Sequence, residues 1–297
     1  MIYLQHFKLR EPPFGITPDT SFFYACSSIQ DALNTLLVAV GNGEGFIKVT
    51  GEVGTGKTLL CRKFLGSLDD GWVSLYIPNP ALDPKTLLLA LAEELGVRPG
   101  TGDQHLLIKS INHALLDLAR SKKRVVVCLD EAQAMPIESM ETLRLLTNLE
   151  TEKRKLLQVI LFGQPELDHK LADPTIRQLR QRITFHHHMG TFTRAETAHY
   201  LAHRMRVAGH PDGAVFSPAA ARTLHTAARG TPRLVNILAN KSLMLAFGEG
   251  TTAVRRSHVG AAVADTPAVS AVRAERWIAL GVGLACAVAG IGWMLVR

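Results

Sequence analysis

Three short apolar runs punctuate the first 170 or so positions, and each stops abruptly at glycine or acid. They are residues 45–50 (GFIKVT), 125–129 (VVVCL) and 156–162 (LLQVILF). None shows the every-other-residue alternation of a half-exposed strand. Continuous apolar runs of this length suit strands covered on both faces, as in a parallel sheet flanked by helices. The first run is followed by a helical pattern through Leu59, Leu60, Cys61 and Leu65, and residues 176–183 (IRQLRQRI) form a second. Beyond residue 190 the punctuation becomes helical. Thr193-Arg194-Ala195-Glu196 is a capping box that opens a helix to about Val207; Ser217-Pro218 opens another that stops at Gly230; Pro232 begins a third that stops near Gly248. An α/β core followed by an all-α part is the expected architecture.

A different pattern closes the chain. Residues 278–296 (IALGVGLACAVAGIGWMLV) are uncharged over 19 positions and lack the polar stripe of a surface helix. As a helix this run spans roughly 28 Å, against a hydrocarbon core of about 30 Å. It is the expected transmembrane helix. Arg273 and Arg276 precede it, which orients the preceding body toward the cytoplasm. Gly281, Ala285 and Ala289 recur every fourth residue, a spacing that permits close helix pairing, although a plain Ala-rich segment accounts for it better than a dedicated pairing face. The N-terminus lacks the regions of a secretory signal.

Composition alters this picture little, but charge distribution does. The chain of 297 residues is 47% hydrophobic and 20% charged, an ordinary globular balance. Its net +7 is uneven: residues 1–169 carry 17 basic and 20 acidic side chains, and residues 170–297 carry 16 and 6. A basic C-terminal part suits nucleic acid, an anionic membrane face, an acidic partner or nucleotide phosphates. Cys26, Cys61, Cys128 and Cys286 have no metal-ligand or disulfide spacing, and neighbours in the tract His186-His187-His188 point to alternate faces of a strand.

Chemistry enters at the strand ends. The first apolar run leads into Gly51-Glu52-Val53-Gly54-Thr55-Gly56-Lys57-Thr58, followed by Leu59, a full match to G-x-x-x-x-G-K-[ST]. Such a loop turns main-chain N–H groups toward phosphates at a helix N-terminus, with Lys57 reaching the β- and γ-phosphates of ATP and Thr58 ligating Mg2+. The second run ends in Asp130-Glu131, where Asp130 would hold the metal ion and Glu131 would act as general base toward water. The third ends at Gly163-Gln164-Pro165, which places Gln164 beyond a strand's carboxyl end, near the γ-phosphate. Arg177, Arg180 and Arg182 lack acidic neighbours. Arg182 first, and Arg180 second, are the candidates for an arginine finger inserted into a neighbouring subunit. Arg233, at the start of a helix where a cation is unfavourable, is a candidate phosphate contact.

Together these residues resemble the AAA+ ATPases of the secretion and type IV pilus branch, the ExeA/GspA-like family. The resemblance covers residues 1–265. It rests on Tyr3-Leu4-Gln5-His6-Phe7, Pro13-Phe14-Gly15-Ile16-Thr17-Pro18-Asp19, Asp130-Glu131-Ala132-Gln133, the stretch from Leu143 through Gly163-Gln164-Pro165-Glu166-Leu167 to Gln178-Leu179-Arg180-Gln181-Arg182-Ile183, and Gly230-Thr231-Pro232-Arg233-Leu234-Val235-Asn236. It implies an AAA+ core with its N-terminal signature at 1–189, a helical lid at 190–265, a linker at 266–277 and the membrane helix at 278–296. It further implies an ATP-driven homo-oligomer, a ring, at the cytoplasmic face of the bacterial inner membrane, working with pilus or secretion assembly proteins. Larger members carry a peptidoglycan-binding region beyond the membrane helix; this chain ends at Arg297. The competing expectation is a DNA-binding AAA+ ATPase of transposition or replication type, against which the apolar run argues.

Overall fold

The structure is a computed structural model that describes residues 2–97, 104–148, 150–151, 154–267 and 269. In chain order the first part holds α1 (Ser27–Gly41), β1 (Phe46–Gly51), α2 (Lys57–Leu65), β2 (Trp72–Ile77), α3 (Pro84–Glu94), α4 (Gln104–Arg120), β3 (Arg124–Leu129), α5 (Ile137–Leu146), the hairpin β4 (Glu150–Thr151) and β5 (Arg154–Lys155), β6 (Leu157–Gly163), α6 (Glu166–Leu171), α7 (Arg177–Arg182) and β7 (Ile183–Met189). Five strands pair in parallel in the order β2-β3-β6-β1-β7.

The three apolar runs become β1, β3 and β6, side by side at the centre of the sheet. Each buries both faces. Val125, Val127 and Leu129 of β3, with Leu157, Val159 and Leu161 of β6, pack on α3, α4 and α5; Val126, Cys128, Ile160 and Phe162 face the opposite side, against Leu36 of α1 and Leu60 and Phe64 of α2. Each such side chain, fully buried, contributes about 1.5–3 kcal/mol. Register aligns Thr50 with Gly163 and Leu129 with Leu161, so the carboxyl ends of β1, β3 and β6 finish at one edge of the sheet. β7 lies at the sheet's border and is half exposed, because only β1 pairs with it.

The second part contains α8 (Arg194–Val207), α9 (Pro218–Ala228), α10 (Pro232–Gly248) and α11 (Arg256–Ala264). Thr193 and Glu196 form the capping box of α8. α11 carries no sequence signal noted above; Val259, Ala262 and Val263 bury it against α9 and α10.

Close contacts divide the chain into two compact units, Pro18–Gly190 and Met1–Thr17 with Thr191 onward. This corrects the assignment of the N-terminal signature to the α/β core. Residues 1–17 belong with the helices because Tyr3, Phe7, Leu9 and Phe14 are buried among them. The buried Arg204 of α8 also donates to the Pro13 and Gly15 carbonyls, and Asn236 of α10 donates to the Gly15 carbonyl. Among the described residues no helix is long and apolar enough to cross a membrane. The run 278–296, with Arg273 and Arg276, lies outside the described residues.

Candidate nucleotide site

The loop from Gly51 to Thr58 leaves the end of β1 and enters α2. Gly54 and Gly56 take φ of 80° and 100°, a left-handed region that costs glycine nothing. At Gly51 the restriction is space: a Cβ would stand 2.8 Å from the Met189 carbonyl oxygen and 2.9 Å from Thr55 Oγ1. Glu52 and Val53 are exposed, and Leu59 is half-buried on α2. Lys57 is 5% exposed, and its ammonium donates to the carbonyl oxygens of Gly51 (2.6 Å) and Glu52 (3.0 Å). Burial lowers its pKa, opposed by the carboxylates of Glu131, Asp130, Glu52 and Glu166. The buried cation thus sits in a field of acids on ligands that phosphate oxygens can replace.

Asp130 follows the end of β3 and is 3% exposed. Its Oδ2 accepts a hydrogen bond from Thr58 Oγ1 at 2.5 Å and another from Tyr76 Oη at 3.5 Å; its Oδ1 accepts from the Glu131 main-chain N–H at 3.0 Å. Burial, with the Glu131 charge, raises its pKa against the Thr58 hydroxyl, the Glu131 N–H and Lys57. The Tyr76 hydroxyl is pushed up to about 12 by burial and by Asp130. A hydroxyl and a carboxylate oxygen in contact form a hard donor set that fits Mg2+ and not a thiophilic metal.

Glu131 has a left-handed backbone at φ 53°, rare outside glycine, which turns its side chain away from the strand direction. Its Oε2 accepts from Gln133 Nε2 at 2.6 Å and from Gln164 Nε2 at 3.1 Å. Burial pushes its pKa up, but the two amides and Lys57 outweigh it and the net direction is down. The carboxylate is ionised and aimed. Gln164 reaches it because β6 ends beside β3 and the Gln164 N–H is held by Gln133 Oε1 at 3.0 Å.

Residues expected from the sequence therefore converge: Lys57, Thr58, Asp130, Glu131 and Gln164 gather at one strand edge. Arg182 is tied elsewhere in its own chain, donating to the Arg144 carbonyl and to Thr147 Oγ1, both at 3.3 Å, at the end of α5. Arg180 is exposed on α7, and Arg233 is exposed at the start of α10 in the other unit. Sequence reasoning did not assign Tyr76, Gln133 or Lys170. Gln133 stood two residues from Glu131. Tyr76 became visible only through the β2–β3 register that places it opposite Cys128.

Residues 40–171 match the family model described as an AAA domain. The fold is the P-loop AAA+ fold. The chain is 38% identical over 98% of its length to General secretion pathway protein A of Aeromonas hydrophila, and it spans 54% of that relative's length. Its backbone is similar to the Aeropyrum pernix ORC2 protein solved as ADPNP–ADP complexes (TM-score 0.62, 17% identity, 84% of this chain and 72% of that one). It is also similar to the Thermotoga maritima RuvB Holliday junction branch migration motor (TM-score 0.55, 16% identity, 84% and 72%). At such identities the likeness to solved structures concerns the AAA+ fold alone.

Proposed function

We propose that this chain is a membrane-anchored ATPase that hydrolyses ATP to support assembly of a type IV pilus, an MSHA-like system in which it plays an MshM-like part, or of a type II secretion apparatus. The observation that carries hydrolysis is the pair of contacts at the sheet edge, Thr58 to Asp130 and Gln164 to Glu131. The secretion context is supported by the 38% identity to General secretion pathway protein A.

The chemistry follows from these residues. Main-chain N–H groups of the loop 51–58 and the Lys57 ammonium bind the triphosphate of ATP. Thr58 and Asp130 would hold Mg2+, which would supply charge neutralisation for the phosphates. Glu131 takes the proton of an attacking water as its oxygen bonds to the γ-phosphorus. The bond to the bridging oxygen breaks, and ADP leaves with that electron pair. Gln164 orients the water. An arginine of α7 completes the site of a neighbouring subunit in a homo-oligomeric ring. Residues 278–296 anchor the chain in the bacterial inner membrane, with the ATPase part cytoplasmic and no nucleic acid required.

Lys57→Ala should abolish ATP binding, while Glu131→Gln should retain ATP and lose turnover by roughly 100- to 10,000-fold. Turnover should vanish when EDTA removes Mg2+. Equal hydrolysis by Glu131→Gln and the parent chain would remove Glu131 from its role. Affinity for DNA that weakens steeply with salt, without any membrane-derived partner, would favour the transposition or replication reading.

A further inference from the structure

Gln133 touches both halves of the catalytic edge. It lies on the single 3-10 turn Ala132–Ala134, directly after the left-handed Glu131, and both ends of its amide are engaged. Nε2 donates to Glu131 Oε2 at 2.6 Å, and Oε1 accepts the Gln164 main-chain N–H at 3.0 Å. The Gln164 side chain closes the ring by donating to the same Glu131 Oε2 at 3.1 Å. The amide orientation follows from its neighbours, since a flipped group would set its carbonyl against a carboxylate and its NH2 against an N–H. The turn itself is fastened to α6 through main-chain atoms: Lys170 Nζ donates to the carbonyls of Gln133 (2.6 Å) and Met135 (2.7 Å). Gly163 lets the end of β6 come close, since a Cβ there would stand 3.2 Å from Gln133 Oε1.

We propose that Gln133 is a positioning residue that makes γ-phosphate sensing by Gln164 and presentation of the base by Glu131 one event. This rests on the hydrolytic reading of the site. As drawn, Glu131 Oε2 carries two donors, which leaves Oε1 as the oxygen with free lone pairs for water. A γ-phosphate oxygen is a stronger acceptor than a carboxylate already shared between two amides, so ATP draws the Gln164 side chain away. Glu131 then keeps the Gln133 amide as its donor, and Gln133, still hinged on the Gln164 N–H, holds the carboxylate with its second oxygen toward water. Water then gives its proton to Glu131 as its oxygen attacks phosphorus and ADP departs with the bridging electron pair. Without the Gln133 amide the two movements are uncoupled.

Two substitutions test this in the full chain without disturbing Lys170, which holds only main-chain oxygens. Gln133→Leu keeps volume and removes both hydrogen bonds; Gln133→Glu keeps shape and replaces the donor with an acceptor. Each should leave ATP affinity within about threefold of the parent and lower kcat by roughly tenfold or more. Gln164→Ala, costly in the parent, should cost less than about threefold when added to Gln133→Leu, because the route it interrupts is already broken. Gln133→His, whose ring offers one donor and one acceptor, should recover part of kcat. A kcat within about twofold of the parent for both variants, or losses that multiply independently in the double variant, would overturn the proposal. So would loss of ATP affinity together with loss of cooperative melting, which marks a role in holding the turn alone. Failure of the underlying reading is separately visible as turnover that survives Glu131→Gln in the parent chain.

Discussion

At Gly51 the requirement for glycine is spatial. Its missing Cβ admits the Met189 carbonyl and the Thr55 hydroxyl, both of which a methyl group would displace. The Met189 carbonyl is main chain of β7 and cannot swing away as a flexible side chain would. Gly51→Ala should therefore displace the phosphate loop and weaken ATP binding by roughly tenfold to hundredfold, with the chain still folded, as titration with a fluorescent ATP analogue would measure. Lys57 illustrates a related point. Its buried ammonium is satisfied by two loop carbonyls, so the loop is held by the same cation that is proposed to meet phosphate.

Two elements carry predictions of their own. α7 presents Arg180 to solvent and turns Arg182 onto the Arg144 carbonyl and the Thr147 hydroxyl at the end of α5, where a cation complements the helix dipole. Because Arg182 is engaged within its own chain and Arg180 is exposed, we propose Arg180 ahead of Arg182 as the arginine finger. Arg182→Ala should lower stability by about 1 kcal/mol in denaturant unfolding. Arg180→Ala should leave stability unchanged and reduce turnover, and mixing it with Lys57→Ala subunits should restore some activity. No rescue at any ratio would count against a finger on α7. β7 offers a test by pH. Burial lowers the pKa of His187, against the pull of Asp31 on α1 and with the push of His188 and His186. A histidine whose folded pKa is depressed contributes stability that is present above its unfolded value, about 6.5, and is lost as pH falls through the lowered value. His187→Gln should lose less melting temperature than the parent between about pH 7.5 and about pH 5.

The two units are joined at Thr17–Pro18 and Gly190–Thr191, so the chain passes between them twice. The strap 1–17 is held to the helical unit by Arg204, a residue only 5% exposed, whose guanidinium donates to main-chain oxygens. Arg204→Met should cost about 2–4 kcal/mol of that unit's stability, because two carbonyls lose a charged donor in a buried place. Protease cleavage near residue 17 in the variant but not the parent would report the released strap. At this scale the proposed anchor predicts that the full chain resists extraction from membranes by high salt and yields to detergent, whereas a peripheral protein would come off with salt.

The central sheet and most of its site were legible in the chain because they depend on local rules. Unbroken apolar runs in 125–129 and 156–162 have no stable place except between two layers, and a phosphate loop needs its glycines and lysine at fixed spacing. The capping box at Thr193 and Glu196 is equally local. Pairing is not local. That β6 lies between β1 and β3, that Gln164 therefore reaches Glu131, and that Tyr76 meets Asp130 all depend on strand order and register. The strap's allegiance was hidden for the same reason: Pro13 and Gly15 are bound through carbonyls, which every residue possesses, so no side-chain pattern marks them. Amino-acid sequence alone determined which residues are the candidates for the chemistry and which segments must be buried. Tertiary structure decided which of those residues meet, because hydrogen bonds across about 30 to 240 positions of chain arise only when packing brings their owners together.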